Sequence, residues 1–485
     1  MTERYVCIHG HFYQPPRENP WTGSVDVEGT ASPWHDWNQR ITDECYAPNA
    51  GPPSNYERLS FDVGPTLMRW LERERPDVYR AIVAGDGDNQ GGSGVGGRGG
   101  AMAQAYSHMI MPLANDRDRR TQVRWGAADF EHRFGRRPDG MWLPETAVDL
   151  ATLEALVDEG VRFTVLAPHQ ADRVRVPQAE SWAPARDGLD AGQAYRQVLP
   201  SGRDIAVFFY DGPLSRAVAF GGLLDSGDEY AGRLAREAAS GPAPRLVSVA
   251  TDGESYGHHH PHGEKALARA IQILDRDPRV QLTTFASYLD KYPPRAQVQI
   301  AENTSWSCVH GVSRWTGECG CGDVDGAFDV PWRGALRGAL DGLRESLAAY
   351  FERAGSEVLR DPWSARDDYI ACLLDPAPEA REAFLAVHMT ADGSADEAIR
   401  LLEQQRYAML MFTSCGWFFG DPEGLEPRQV LRYAIRALDL SAGLPEAALV
   451  ATEFRQALGS LGPFFDRVLG EHGPAALSWI SGLET

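Results

Sequence analysis

The segment from residue 246 to 262, LVSVATDGESYGHHHPH, joins a strand-like run to a cluster of reactive side chains. Its apolar and β-branched start is typical of a short buried strand. Asp252, Glu254, Tyr256 and His258 follow directly. In parallel α/β folds the residues behind the strands carry the chemistry, because the carboxyl ends of the strands converge. We therefore predict the edge of an active site here, and a histidine-rich surface turn is the alternative.

A second carboxylate, Glu145, directly follows the apolar run MWL at residues 141–143. Two carboxylates that face each other across a cleft can cleave a glycosidic bond. One attacks or stabilises the anomeric carbon, and the other, held protonated, gives a proton to the leaving oxygen. Either carboxylate alone would more often be a helix cap or a member of an ion pair. Because Glu145 and Asp252 each follow a strand, we predict that they form a catalytic pair.

Short apolar runs alternate with helical patterns over about the first 290 residues, which is typical of a parallel sheet or barrel. The predicted strands are residues 5–8, 141–143, 162–167, 205–209, 246–250 and 280–285, and residues 63–74, 101–113 and 119–132 are predicted helices. Five of these strands end in polar or aromatic residues, namely His9 and His11, Glu145, His169, Tyr210 and Asp211, and Asp252 and Glu254. A barrel whose carboxyl-end loops form one site explains this coincidence.

The pattern changes after Pro294. Leu336, Leu340, Leu343 and Leu347 recur at alternating steps of four and three, which predicts a helix with one buried face. We therefore expect two domains, a barrel over residues 1–294 and a mainly helical domain over residues 295–485.

The charge and cysteine content narrow the possible partners and location. An excess of 68 acidic over 47 basic residues, a formal charge of −21, disfavours nucleic acid and anionic membranes as partners. The seven cysteines are odd in number and sparse, so no disulfide framework is predicted. The sequence shows neither a signal peptide nor an apolar run long enough to cross a membrane. These features predict a cytoplasmic protein that binds neither nucleic acid nor membranes, and they leave the oligomeric state open.

Three motifs in this sequence resemble those of glycoside hydrolase family 57. They are His9-Gly10-His11 with Gln14-Pro15, Trp142-Leu143-Pro144-Glu145, and Asp252-Gly253-Glu254-Ser255-Tyr256-Gly257. The resemblance implies an α/β fold, an irregular (β/α)7-type barrel followed by a mainly helical C-terminal domain. It also implies retaining hydrolysis or transglycosylation of α-glucans, as in amylases, 4-α-glucanotransferases and branching enzymes. Glu145 would then be the nucleophile and Asp252 the general acid/base. The helical part resembles an uncharacterised domain found behind the barrel in one branch of the family.

The sequence departs from the family pattern at three places. Phe12 and Tyr13 are inserted between the histidine motif and Gln14, and no match to a further family motif is found near the glycine-rich residues 85–100. The histidines after Gly257 are not a general family feature.

The expected ligand is an oligosaccharide or polysaccharide, and no cofactor is expected. The predicted substrate-binding residues are His9, His11, Gln14, Trp21, Trp142, His169, Tyr210, Asp211, Glu254, Tyr256 and His258. Trp21 and Trp142 are candidate platforms for stacking on sugars, although Trp142 could equally belong to the core.

Two other functions stay open. His9, His11 and Asp252, with some of the histidines at 258–262, could bind a divalent metal in a deacetylase-like hydrolase, since imidazoles and carboxylates suit such ions. That interpretation leaves Glu145 and its motif unexplained. Alternatively, the barrel could be a non-catalytic carbohydrate-binding module.

A separate cluster lies at Cys308, His310, Cys319 and Cys321. Its spacing matches none of the strong zinc-binding patterns. Buried free thiols are the plain interpretation, because cysteine packs as a small apolar residue, and a structural zinc site is the alternative hypothesis.

Overall fold

The computed structural model describes residues 3–90, 97–317, 319–321, 332–442 and 446–471. The chain divides into two compact units. Unit 1 comprises Met1–Pro16, Val27–Tyr106 and Gly126–Trp306, and unit 2 comprises Arg17–Asp26, Ser107–Trp125 and Ser307–Thr485. The domain boundary expected after residue 294 stays a prediction.

All strands of the described residues lie in unit 1. They are β1 (Arg4–Phe12), β2 (Ser60–Val63), β3 (Ala101–Gln104), β4 (Met141–Trp142), β5 (Phe163–Leu166), β6 (Ala171–Arg175), β7 (Ala183–Pro184), β8 (Ala194–Val198), β9 (Asp204–Phe209), β10 (Arg245–Asp252), β11 (Gln281–Leu282) and β12 (Ala296–Ile300). One sheet has the order β10-β1-β2-β3-β4, with β11 also paired to β1, and the other has the order β5-β9-β8-β12-β6-β7.

The two sheets meet along two seams. At one seam Gly140 and Phe163 form a parallel bridge. At the other, the amide of Asp211, just after β9, donates to the carbonyl of Ser248 in β10 at 2.7 Å. The strands β10, β1, β2, β3, β4, β5 and β9 thus follow one another around an irregular parallel barrel. The predicted α/β barrel fold is confirmed.

The barrel interior follows the two-residue period of its strands. In β1, Tyr5 and Cys7 belong to the hydrophobic core of the barrel. His9 and His11 lie on the same face, because side chains two residues apart point to the same side of a strand. In β10, Ala250 is a core residue and Asp252 follows on its face. In β1 and β10 the inward face therefore changes from apolar to polar at the carboxyl end of the strand.

The α-helices are distributed over both units. In chain order they are α1 (Trp37–Ile41), α2 (Ala47–Ala50), α3 (Pro65–Glu74), α4 (Pro76–Gln90), α5 (Asp116–Phe134), α6 (Leu150–Asp158), α7 (Ala185–Gly188), α8 (Gly212–Phe220), α9 (Gly227–Ala239), α10 (Gly263–Arg276), α11 (Phe285–Lys291), α12 (Trp332–Val358), α13 (Pro362–Asp368), α14 (Ile370–Leu374), α15 (Pro378–His388), α16 (Ala395–Leu410), α17 (Leu425–Asp439), α18 (Ala447–Ala457) and α19 (Gly462–Glu471). The predicted leucine stripe is buried along α12, so the mainly helical C-terminal region is confirmed. Over the described parts of the chain, no helix combines the length and apolarity needed to cross a membrane.

The prediction of a helix over residues 101–113 was wrong. Ala101–Gln104 forms β3, which pairs with β2 on one side and β4 on the other. Alanine and methionine favour helices locally, but hydrogen bonds on both edges of the segment override that preference. Gly126 of α5 accommodates this strand, because a Cβ there would lie 2.0 Å from the carbonyl oxygen of Gln104.

The strand predicted at residues 280–285 is shorter than expected. Only Gln281 and Leu282 pair with β1. Thr284 then caps α11, its side chain accepting the amide hydrogen of Ser287. The cap ends the extended segment, since the threonine side chain replaces a missing helical acceptor.

Candidate active site

Asp62 lies at the centre of a buried polar cluster. Its carboxylate meets His9 Nε2 at 3.0 Å and His11 Nδ1 at 2.8 Å, one histidine on each oxygen. Gln104 Nε2 donates to the same carboxylate at 2.7 Å, and His9 Nδ1 is 3.0 Å from Ser60 Oγ. The register explains the arrangement, because His11 in β1 lies opposite Asp62 in β2. Three neighbouring strands thus place one carboxylate between two imidazoles.

The pKa values of His9 and His11 are shifted in opposite directions. Burial alone would lower the pKa of His11, but the nearby carboxylates, Asp62 foremost, outweigh it and raise that pKa to about 9. Burial lowers the pKa of His9, helped by the charge of His11 and opposed by Asp62. For Asp62, the imidazoles overcome the effect of burial and hold the carboxyl pKa below its usual range. At neutral pH the cluster therefore contains a His11 imidazolium, an Asp62 carboxylate and a neutral His9.

Trp142 packs beneath this cluster. Its ring is stacked on His9 and His11, with centroid separations of 4.7 and 5.2 Å. The side chain is fully buried, and among the described residues its Nε1 has no hydrogen-bond partner. Trp142 thus belongs to the core, which was the alternative to a sugar platform.

Glu145 sits in a strained turn behind β4. Glu145 and Thr146 have φ values of 57° and 50°, in the left-handed region that side chains other than glycine rarely adopt. Such a conformation costs about 1–3 kcal/mol per residue and persists only when the surroundings hold it in place. Trp306 helps to stabilise this conformation through two hydrogen bonds. Its indole Nε1 donates to Glu145 Oε2 at 3.1 Å, and its amide donates to the Glu145 carbonyl at 3.0 Å.

Asp252 lies on the side of His11 opposite to Asp62, because β10 and β2 flank β1 in the sheet. It ends β10 directly opposite His11, and its side chain is open to solvent. The protein around it still limits its hydration, and this effect, with the charge of Asp62, raises the pKa of Asp252 against the opposing influence of His11. Among the described residues it accepts no side-chain hydrogen bond. Asp252 therefore has an accessible carboxyl group that keeps its proton to higher pH than an ordinary aspartic acid does.

Glu254 lies deeper than Asp252. One carboxylate oxygen accepts the hydroxyl of Tyr46 at 2.5 Å and the amide of Tyr13 at 3.1 Å. Burial, helped by the charge of Asp252, raises the pKa of Glu254 to about 7. Glu254 is thus a supporting residue that ties the segment after β1 to the end of β10.

The inserted Phe12 and Tyr13 have a structural role at this point. A Cβ on Gly253 would come within 2.3 Å of the Phe12 ring, so only glycine fits there. Tyr13 provides the amide that binds Glu254. The insertion is therefore packed against the segment behind Asp252.

Three other predicted residues line the same end of the barrel. Tyr210 follows β9, and its ring centroid is 6.4 Å from that of Trp306. His169 follows β5 and contacts the carbonyl of Ser305 through Nε2 at 2.9 Å. Gln14 is buried after β1, where Nε2 donates to the Tyr13 carbonyl at 2.9 Å.

Four predicted substrate-binding residues have other surroundings. Asp211 caps α8 by accepting the amide hydrogen of Leu214 at 2.8 Å. Tyr256 is fully buried, with its hydroxyl 3.3 Å from that of Tyr230. His258 pairs with Glu44. Trp21 belongs to unit 2, where Nε1 donates to Asp439 at 3.3 Å. These side chains cap a helix, pack in the core, or form an ion pair or a hydrogen bond with other protein residues.

Sequence reasoning missed Asp62, Gln104 and Trp306. The signal for Asp62 was weak, because β2 is only four residues long and the helix predicted over residues 63–74 began at its last residue. Gln104 lay in the segment wrongly predicted as helical. Trp306 follows an irregular segment, and no local pattern relates it to Glu145.

The histidines behind Asp252 do not gather around a common point with His9 and His11. His260 contacts the carbonyl of Ala219 at 2.8 Å, and His258 pairs with Glu44. Within the described ranges, one group of at least three His, Cys, Asp or Glu side chains is close enough to share an ion, and it consists of Cys308, His310, Cys319 and Cys321.

The fold and this arrangement define an α/β-barrel protein with two carboxylates at the carboxyl ends of its strands. Residues 90–301 match the family model described as Glycosyl hydrolase family 57, and residues 329–460 match Domain of unknown function (DUF3536). The resemblance of the motifs to glycosyl hydrolase family 57 is thus confirmed by the family model over residues 90–301. A search of curated proteins yields no match.

Solved structures with the same fold include three enzymes. An exo-type maltose-forming amylase from Pyrococcus sp. ST04 has a TM-score of 0.69 at 17% identity, covering 96% of this chain and 84% of that one. A branching enzyme from Pyrococcus horikoshii has a TM-score of 0.60 at 16% identity, covering 94% and 95%. A 4-α-glucanotransferase from Thermococcus litoralis has a TM-score of 0.56 at 15% identity, covering 90% and 60%. At these identities the similarity establishes a shared fold.

Proposed function

We propose that this protein is a retaining glycoside hydrolase or transglycosidase that acts on α-glucans. The observation that carries the proposal is that two carboxyl groups follow strands of the same barrel: Glu145 behind β4, in a strained turn bound by Trp306, and the accessible Asp252 at the end of β10, whose pKa is raised. The match of residues 90–301 to the family 57 model and the similarity to an amylase, a branching enzyme and a glucanotransferase support the same chemistry.

In the proposed mechanism Glu145 is the nucleophile. One of its oxygens attacks the anomeric carbon while the bond from that carbon to the leaving oxygen breaks, giving a covalent glycosyl-enzyme. Trp306 binds Glu145 Oε2, which orients the carboxylate. The left-handed backbone at Glu145 aims the side chain, and the backbone bond from Trp306 supports this conformation.

Asp252 would be the general acid and then the general base. In the first step its proton moves to the leaving oxygen. In the second step its carboxylate removes a proton from water, giving hydrolysis, or from a sugar hydroxyl, giving transfer. The raised pKa of Asp252 suits the first step, because it keeps the proton available closer to neutral pH.

His11 would position the sugar beside these two carboxylates. It lies opposite Asp252 in the register and its ring is 6.1 Å, centroid to centroid, from Trp306. As an imidazolium it can donate a hydrogen bond to a sugar hydroxyl. A neutral polysaccharide also suits a chain with a formal charge of −21, since a polyanionic ligand would be repelled.

The proposal is tested with the purified chain on maltoheptaose, amylose and glycogen. Products are sized, and the anomer that forms first is identified by proton NMR. We expect the α-anomer first, with shorter products alone for hydrolysis and with longer or branched products for transfer. A β-anomer as first product would refute the retaining mechanism. Inert α-glucans, combined with deacetylation of an N-acetylated oligosaccharide, would favour the metal-dependent hydrolase instead.

A first mutational prediction concerns the Trp306 indole. Replacing Trp306 with Phe removes a hydrogen bond to a charged carboxylate, which is worth about 1.5–3 kcal/mol. We expect kcat to fall about 10- to 100-fold, with little change in KM, and the acid limb of the pH profile of kcat/KM to move to higher pH. A matched control is Trp182→Phe, since the Trp182 ring packs under Arg175. An unchanged pH profile in Trp306→Phe would show that the indole serves packing alone.

A further inference from the structure

Four potential metal ligands converge in unit 2. Cys308 Sγ lies 3.4 Å from Cys319 Sγ and 4.0 Å from Cys321 Sγ. His310 Nδ1 lies 3.3 Å from Cys319 Sγ and 3.6 Å from Cys321 Sγ. All four ligand atoms are within 4.8 Å of one another. The set is more compact than packing of free thiols requires.

These separations fit a tetrahedral zinc ion. With Zn–S bonds of about 2.3 Å and Zn–N bonds of about 2.0–2.1 Å, the tetrahedron has edges of about 3.8 Å between sulfurs and about 3.6 Å between sulfur and nitrogen. The observed distances scatter around both values. The sulfurs are too far apart for a disulfide bond, which needs about 2.05 Å, and the cysteines are free thiols.

A buried cation next to the cluster provides an independent observation. Arg333 is fully buried and donates to the carbonyls of Cys319 at 2.6 Å and Cys321 at 3.2 Å. Its other terminal nitrogen donates to the Phe419 carbonyl at 3.1 Å. Within the part of the chain that the structure describes, it forms no ion pair with a carboxylate. Burial of a guanidinium is costly unless negative charge lies close to it. Three thiolates, a neutral imidazole and Zn²⁺ carry one net negative charge, which Arg333 would balance.

The backbone around the ligands contains little regular structure. Between Ser307 and Gly317 the one regular element is the short 3₁₀ helix Ser313–Trp315. Gly311, with φ of 75°, turns the chain after His310, and its amide donates to the Cys308 carbonyl at 3.1 Å. A bound ion would link Cys308 and His310 to Cys319 and Cys321, and so stabilise a segment that has little regular structure of its own.

We propose that Cys308, His310, Cys319 and Cys321 form a structural zinc site. Four protein ligands fill a tetrahedron and leave no position for water or substrate, so the ion stabilises the fold and takes no part in glycoside chemistry. The proposal is independent of the function of the barrel, because none of its ligands belongs to unit 1.

The test is metal analysis of the full-length chain, purified without a metal-binding tag and dialysed against a weak chelator. We expect about one zinc ion per chain. Removal by a strong chelator should lower the melting temperature, and added zinc should restore it. Cobalt substitution should give the thiolate charge-transfer and ligand-field absorption of a tetrahedral cysteine site.

Variants assign the ion to these residues. Cys319→Ser and His310→Ala should lose the zinc or shift the cobalt spectrum, whereas the control Cys372→Ser, in α14, should retain both. Because a ligand variant could fail to fold, the zinc content and cobalt spectrum of the unaltered chain decide independently. Less than about a tenth of an equivalent of zinc, with no thiolate absorption on cobalt addition, would overturn the proposal. So would a Cys308–Cys319 disulfide in freshly purified protein.

Discussion

Replacing Glu145 with Gln is expected to lower kcat on α-glucans on the order of 10⁴-fold, which corresponds to roughly 5 kcal/mol of lost transition-state stabilisation. The amide keeps the shape and the indole contact of the carboxylate, but it cannot form the covalent intermediate. KM should change little, because the side chain acts in the transition state and contributes little to ground-state binding. Steady-state kinetics on maltoheptaose measure both parameters.

The assignment of the nucleophile can be tested further with azide. Glu145→Gly leaves room for a small anion, and glycine adopts φ near 57° without strain. Azide should then attack the anomeric carbon from the vacated side and form a C–N bond, while Asp252 gives its proton to the leaving oxygen. The expected product is the β-glycosyl azide. The control Glu180→Gln, at an exposed position, should keep full activity. Retention of more than a tenth of wild-type kcat in Glu145→Gln would refute the assignment.

Replacing Asp62 with Asn is expected to reduce the free energy of unfolding by about 3–5 kcal/mol, because the buried His11 must then either carry its charge without the carboxylate or give up its proton. Asp62 is fully buried and contacts both His9 and His11. In the variant, the pKa of His11 should fall from about 9 towards or below its ordinary value of 6.5. Urea unfolding and NMR titration of ring-labelled histidine, with His11→Gln for assignment, measure the two effects.

The sign of the pH dependence follows from the direction of the shift. The pKa of His11 is raised in the folded protein, so its stabilising contribution is complete below 6.5 and is lost as the pH rises through about 9. For a shift of this size the contribution is on the order of 3 kcal/mol. The free energy of unfolding of the wild type should therefore fall between these pH values, and the fall should be much smaller in Asp62→Asn. The control Asp172→Asn, exposed in β6, should behave as the wild type. An Asp62→Asn variant as stable as the wild type, with an unchanged pH slope, would contradict the electrostatic account.

The sequence by itself determined the fold class and the positions of the two carboxylates. Runs of β-branched and apolar residues before Glu145 and Asp252 predict strands, because such side chains pack well on a half-buried pleated surface. The two-residue period of β1 then brings His9 and His11 onto the face that also carries the core residue Cys7. Local patterns of this kind depend on neighbours in the chain and can be recognised without the structure.

Only the tertiary structure decided which polar groups meet. Asp62 and Gln104 come from strands too short or too helix-like to recognise, and they join the histidines through pairing between distant segments. The same holds for Trp306, which reaches Glu145 across 161 positions of the chain. Conversely, Asp211 and Tyr256 follow strands in the sequence as site residues would. In the structure, however, Asp211 caps a helix and the Tyr256 hydroxyl contacts that of Tyr230 in the core.

The cysteine cluster is another contact between distant residues that the sequence pattern could not predict. Its spacing matched no strong metal-binding pattern, and the fold alone brings four ligand atoms within 4.8 Å. Hydrogen bonds and ligand sets depend on distances between atoms far apart in the chain, whereas strand and helix preferences depend on near neighbours. For that reason the sequence could predict the barrel and two carboxylates behind its strands, and the structure was needed to identify the residues that surround them.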